Sequence, residues 1–124
     1  MAGIAYKKSI AKPPRLAAIR KIALGFPEAW ENEWHGNLWF QIGKSSFALY
    51  SSKDRCWIFK LPMAQQMMLF DTRPETFRVM IAGKLRWSFV QVENLDAAEL
   101  RDLLEAAWRV VAPKKLQTGK WARP

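Results

Sequence analysis

The sequence predicts a two-layer α+β domain in which helices cover one face of an antiparallel sheet, in the order helix, three strands, helix, two strands, helix. Three observations carry this. Residues 37–62, NLWFQIGKSSFALYSSKDRCWIFKLP, alternate apolar and polar residues three times with turn residues at the two breaks, the pattern of a three-stranded meander. Residues 76–93 alternate again around Ala82-Gly83-Lys84. On either side of these strands, from Leu16 to Ala23 and from Leu95 to Val111, apolar residues recur at helical spacing and supply the cover that a one-sided sheet requires.

Residues 1–12 show no period and form a basic N-terminal arm ahead of a single domain spanning 13–113. Pro13 and Pro14 suit a helix start, where the N–H they lack would have no partner. Leu16, Ile19, Ile22 and Ala23 make the stripe of that helix, and Gly25 and Pro27 end it. In the meander Leu38, Phe40 and Ile42 share one face of the first strand, Phe47 and Leu49 of the second, and Trp57, Phe59 and Leu61 of the third, because successive strand side chains point to opposite sides. The opposite face then carries Trp39, Gln41, Tyr50, Cys56, Ile58 and Lys60. Pro62 opens a short helix whose Met63, Met67 and Phe70, at i, i+4 and i+7, are expected as core filler.

Phe77, Val79 and Ile81 share one side of the next strand, and RWSFVQVE is the centre of the last, whose inward face the pattern leaves open. Asp96 and Glu99 have the spacing of an N-cap and its capping-box partner, with Leu95 placed to staple onto Leu100. Leu100, Leu103, Leu104, Ala107, Val110 and Val111 form the stripe of the final helix, Glu105 sits four residues before Arg109, and Pro113 stops it. Residues 114–124 are a basic C-terminal tail with one aromatic, Trp121, a composition suited to wrapping phosphates and stacking.

A chain of 124 residues with seven tryptophans belongs to the globular class and is expected to form one core. The single cysteine, Cys56, excludes an internal disulfide and a cysteine-based zinc cluster and points to a cytoplasmic setting. No window approaches the roughly 20 apolar residues of a membrane span, so no membrane partner is expected. The net charge of +9 is unevenly placed. Residues 1–27 hold six basic residues and no acid, residues 109–124 hold five and no acid, and the middle has nine basic against eleven acidic. A surplus of one sign favours a polyanion such as nucleic acid, although a solubilising excess has the same composition.

WENEWHG, if extended, places Trp30, Asn32 and Trp34 on one side and Glu31, Glu33 and His35 on the other. Two carboxylates and an imidazole at that spacing are the nearest approach to a metal or acid–base cluster, with a solvated edge face as the plain alternative. Metal sites draw ligands from several elements, so no metal, cofactor or catalytic residue is assigned. Lys44 and Lys53 stand at the two meander turns, and Arg78, Lys84 and Arg86 make a basic wing on the second hairpin; such a ribbon can ride along phosphates. With Lys60, Lys114 and Lys115, these are the candidate nucleic-acid-binding residues.

LGFPEAW after the first helix, WHGNLWFQIGKSSFALYS through the first hairpin, IFKLP entering the short helix, RWSFVQV as the last strand and ELRDLLEAAWRVVAPKKL at the end occur in the order seen in the MmcQ/YjbR-like family of small bacterial proteins, which this chain resembles over roughly residues 15–117. The resemblance implies a fold related in topology to secretion chaperones and a DNA-binding, double-wing protein with no agreed catalytic residues and no cofactor. Two features depart from it. Arg86 stands where relatives commonly have glycine, and Phe77 to Ala82 match poorly. The expected function is therefore nucleic-acid binding, DNA rather than RNA, through the phosphate backbone and without catalysis, in a protein for which a monomer is favoured. A protein-interaction or chaperone-like module using the outer face of the sheet is the alternative, and the acidity of secretion chaperones weighs against it.

Overall fold

The computed structural model describes residues 13–80 and 86–122. Within them three α-helices and six strands run in the order α1 (Leu16–Leu24), β1 (Ala29–Trp34), β2 (Asn37–Ile42), β3 (Ser45–Ser51), β4 (Cys56–Lys60), α2 (Met63–Thr72), β5 (Phe77–Val79), β6 (Trp87–Val90) and α3 (Ala97–Val111). The strands form one antiparallel sheet in the order β1-β2-β3-β4-β6-β5. The expected two-layer architecture is present with one addition. The stretch WENEWHG supplies edge strand β1, so four strands and not three lie between α1 and α2. His35 and Gly36, with φ of 49° and 83°, close the β1–β2 hairpin in the positive-φ pair that a two-residue turn requires.

All three helices pack on one face. Ile19 and Ala23 of α1, Leu69 of α2 and Leu100, Leu104 and Trp108 of α3 share a buried cluster with Leu38, Phe40, Phe59, Phe77 and Val90 of the sheet. One β-bulge changes which residues reach it. Gln41 pairs with Ser46 but Phe40 with Ala48, so Phe47 is an extra residue in β3 and the side-chain parity beyond it is reversed. Phe47 stays in the core, Ala48 and Tyr50 join it, and Leu49 turns to the opposite face between Trp39 and Ile58. The expectation of Leu49 inside and Tyr50 outside is thus corrected, because strict alternation assigns faces only where the register is unbroken.

Helix α2 corrects a second expectation. Met63 and Met67 are 45% and 58% exposed, while Gln66 and Leu69 are buried. Once those two face the sheet, a pitch of 3.6 residues per turn carries Met63 and Met67 about a quarter turn or more toward solvent. In β6, Ser88 and Val90 point inward, which leaves Trp87 and Phe89 on the outer face. Phe77 of edge strand β5 is in the core, whereas Val79 is half exposed; Ile81 lies outside the described residues.

The entrance to α3 is tied down on both sides. Asp96 Oδ1 accepts the Glu99 N–H at 2.8 Å, the expected N-cap, but the Glu99 carboxylate pairs with Arg73 at the end of α2 and does not close the capping box. Leu95 and Leu100 are both in the core. Arg15, held at φ 57° ahead of α1, donates through Nη1 to the carbonyls of Val92 and Leu95 at 2.9 and 2.5 Å. Trp108, outside the expected stripe, is fully buried and donates Nε1–H to Pro27 O at 3.1 Å. Residues 114–121, set apart in sequence as the beginning of a basic tail, pack on the helical layer. Trp121 lies against the rings of Phe26 and Trp108, each 5.4 Å between centroids, and its carbonyl accepts from Arg109 at 2.8 Å. Among the described residues no helix is long and apolar enough to cross a membrane.

Candidate nucleic-acid interface

Strand direction decides where the charges go. Each strand reverses the one before it in the sheet, so the turns fall alternately on two rims. The upper rim holds the Gly43-Lys44 turn, Lys60 at the end of β4 and Arg86 at the start of β6, since Ile42 pairs with Ser45 and Lys60 with Trp87. The C-terminal half of α3 comes to the same rim: Ala106, Arg109 and Val110 line a cavity of about 390 Å³ together with Pro62, Met63 and Arg86. Lys114 and Lys115 follow directly from it. Lys44 and Arg86 are separated by about two and a half strand spacings, roughly 12 Å at 4.8 Å per strand.

Five of the eight candidate cations are therefore brought to one rim. Lys53 is not among them; its turn, Ser52 to Arg55, lies on the lower rim, beside Ser51 and Cys56. Arg78 sits between the rims on the outer face of β5, its guanidinium 5.2 Å from the centroid of Phe89. Lys84 lies outside the described residues, as do Lys7, Lys8 and Lys12 of the basic arm. Lys120, which spacing alone could not assign, joins the upper-rim group because Trp121 folds back on Phe26.

Among the described residues Lys44, Arg86, Lys114 and Lys115 form no ion pair, and Lys60 lies 4.9 Å over the Trp87 ring. The carboxylates that the topology places at the upper rim are Glu28 and Glu105, and Glu105 is engaged by Arg109 at 2.8 Å. The remaining loop acids gather on the lower rim. Asp54 accepts from Ser51 at 2.7 Å, Asp96 caps α3, Glu99 holds Arg73, and Glu75 and Glu93 flank the Phe77–Val90 end of β5 and β6.

The triplet Glu31, Glu33 and His35 does not converge. Glu31 and Glu33 point to the helical side of β1, opposite Phe40 and Leu38, and Glu31 makes a two-pronged pair with Arg20 of α1 at 2.8 and 2.9 Å, which raises the Arg20 guanidinium above its ordinary value. His35 sits in the turn, its ring edge-on to Trp34 at 4.0 Å. Among the described residues no three His, Cys, Asp or Glu side chains come together as metal ligands. Cys56 is buried, with Sγ 3.6 Å from Val90 O; burial pushes its thiol up despite the nearby Arg78.

The YjbR family model matches residues 24–110, which run from the end of α1 almost to the end of α3. The crystal structure of Deinococcus radiodurans protein DR2400, which carries a DUF419 domain, superposes with a TM-score of 0.69 at 18% identity and covers 88% of each chain. No curated protein matches the chain.

Proposed function

This chain belongs to the YjbR family, and on that footing we propose that it binds nucleic acid, DNA before RNA, by laying the phosphate backbone along the upper rim, without performing chemistry on it. The observation that carries this reading is the collection of Lys44, Lys60, Arg86, Lys114 and Lys115 at one end of the sheet, far from the carboxylates of the opposite end. Cations of which Lys44, Arg86, Lys114 and Lys115 form no ion pair among the described residues offer counterion release to a polyanion and carry no base readout of their own. Lys60 ends strand β4, Lys44 and Arg86 adjoin strands of the same sheet, and Lys114 and Lys115 follow α3.

A duplex and an unpaired strand of arbitrary sequence, each titrated at several salt concentrations, test the reading. If about five phosphates are engaged, log K falls against log salt with a slope of about −4.5. A flat dependence, or no association at low salt, sinks it. A protein partner remains the second reading, favoured by Met63, Met67 and Met68, which stand 45%, 58% and 52% exposed on α2; adaptable thioether surfaces of this kind suit protein contacts. Co-purification of a defined partner that survives high salt would select it.

A further inference from the structure

The sheet face turned away from the helices has a composition of its own. Trp30, Asn32 and Trp34 of β1 lie on it with Trp39 of β2, and Trp87 and Phe89 of β6 lie on it across the central Leu49 and Ile58. Five rings thus stand on a surface that no described helix covers. Lys60 is poised over Trp87 and Arg78 over Phe89. No Asp or Glu of the six strands points this way: Glu31 and Glu33 are on the helical side. Trp39 is three strand steps, roughly 14 Å, from the β6 rings, and Trp30 and Trp34 are four, roughly 19 Å.

A face for a folded protein would be expected to set charges of both signs among its rings, and the strands here bring only cations to them. Duplex phosphates would be matched by cations alone, leaving exposed indole surface without a role. Flat rings combined with cations, and with no acid of the strands on the same face, match one partner chemistry, a strand whose bases are unpaired and whose backbone is anionic. We propose that the outer face of the sheet is a stacking platform for single-stranded nucleic acid, with bases on Trp34 and Trp30 at one side and on Trp87 and Phe89 at the other, and with phosphates drawn to Lys60, Arg78 and the upper rim. This rests on the nucleic-acid reading above and narrows it to unpaired strands. Trp34 is the most accessible ring, at 58% exposure, and its edge-on contacts with His35 and Trp39, at 4.0 and 6.0 Å, hold it in place without covering it.

The test uses the full chain with fluorescein-labelled oligodeoxythymidine and oligouridine of about 16 nucleotides, the upper end of a single-fold site, beside a duplex of equal length. Trp34→Ala with Trp30→Ala removes two exposed rings, Trp34→Phe restores one, and circular dichroism confirms that each variant is folded. The platform is supported if the unpaired strands bind more tightly than the duplex, if the double variant weakens them by at least about fivefold, and if Trp34→Phe recovers part of the loss while the salt slope stays unchanged. Tighter binding of one sugar type then says whether DNA or RNA is the source of the strand. If the duplex binds but the unpaired strands bind no better, or if the ring variants bind like the parent, the platform is overturned and the upper-rim reading stands. If nothing binds at low salt, both fall.

Discussion

At the lower rim of the sheet, charged groups are used inside the chain: Arg15 holds the carbonyls of Val92 and Leu95, Arg73 holds Glu99, Asp96 caps α3 and Asp54 takes the Ser51 hydroxyl. At the upper rim Lys44, Arg86, Lys114 and Lys115 hold no carboxylate among the described residues. Both rims are made of strand ends and a helix terminus, so the difference is not one of local structure. Where a charge closes a loop or satisfies a buried carbonyl, its loss is felt as stability. Where it faces only water, its loss costs almost nothing in stability and is felt by whatever polyanion approaches. Arg109 is the exception, since its pair with Glu105 and its bond to the Trp121 carbonyl fasten the chain at the upper rim. That residue apart, the two rims separate folding from recognition, and the same class of substitution is expected to read out differently at each.

The sharpest break of this comparison is at Arg15. Arg15→Ala leaves two partly buried carbonyls without their charged donor, and hydrogen bonds from charged groups contribute about 1.5–3 kcal/mol each. A loss of about 3 kcal/mol in urea unfolding is expected, with duplex association of the folded fraction unchanged. Next comes the upper rim. Lys44→Ala with Arg86→Ala is expected to lower the salt slope by about 2 and to weaken binding roughly 60-fold at 0.1 M salt, while stability moves by no more than about 0.5 kcal/mol. A loss of stability here without a change in slope would dissolve the distinction between the rims.

The sequence made much of this frame legible, and the places where it did not are instructive. The meander, the pairing of β5 with β6, the Asp96 cap and the burial of Leu95 and Leu100 follow from local patterns that tertiary packing had no reason to override. Faces were lost where one residue changed the register: the bulge at Phe47 exchanged Leu49 for Tyr50, and alternation carries no mark of an insertion. Met63 and Met67 were misplaced because a helical stripe says which residues travel together and not which stripe docks, a choice made by Leu69 and Gln66. The site was legible as a list of cations and not as a place. Lys44 and Lys53 occupy equivalent-looking turns, yet antiparallel pairing sends them to opposite rims, and only strand order shows that Lys53 belongs with the acids.

Asp96→Ala asks whether the lower rim is additive. It removes one acceptor at the N-terminus of α3, expected to cost about 1 kcal/mol. Because Glu99 is already committed to Arg73 it is not placed to replace the lost acceptor, so Asp96→Asn, which keeps an acceptor oxygen, should recover most of the loss. Equal destabilisation by both variants would mean that the charge at the helix end matters more than the bond.

The smallest expected effect lies on the outer face at the lower-rim end of β4, at Cys56. Burial is the first cause of its raised thiol pKa and Arg78 offsets only part of it, so the folded chain keeps the proton beyond the ordinary thiol value of 9.0. Over that interval the unfolded chain has released a proton that the folded chain still holds, and stability falls as pH rises; below the ordinary value this contribution is fully present. Cys56→Ala should flatten the decline above about pH 9, and a thiol reagent at pH 8 should react with the parent only as fast as the sheet opens. Rapid reaction with the folded chain would show that the outer face beside Arg78 is looser than its packing implies. It would also weaken the case for a rigid ring platform there, because Phe89, beneath that guanidinium, shares the strand whose Val90 carbonyl lies against the sulfur.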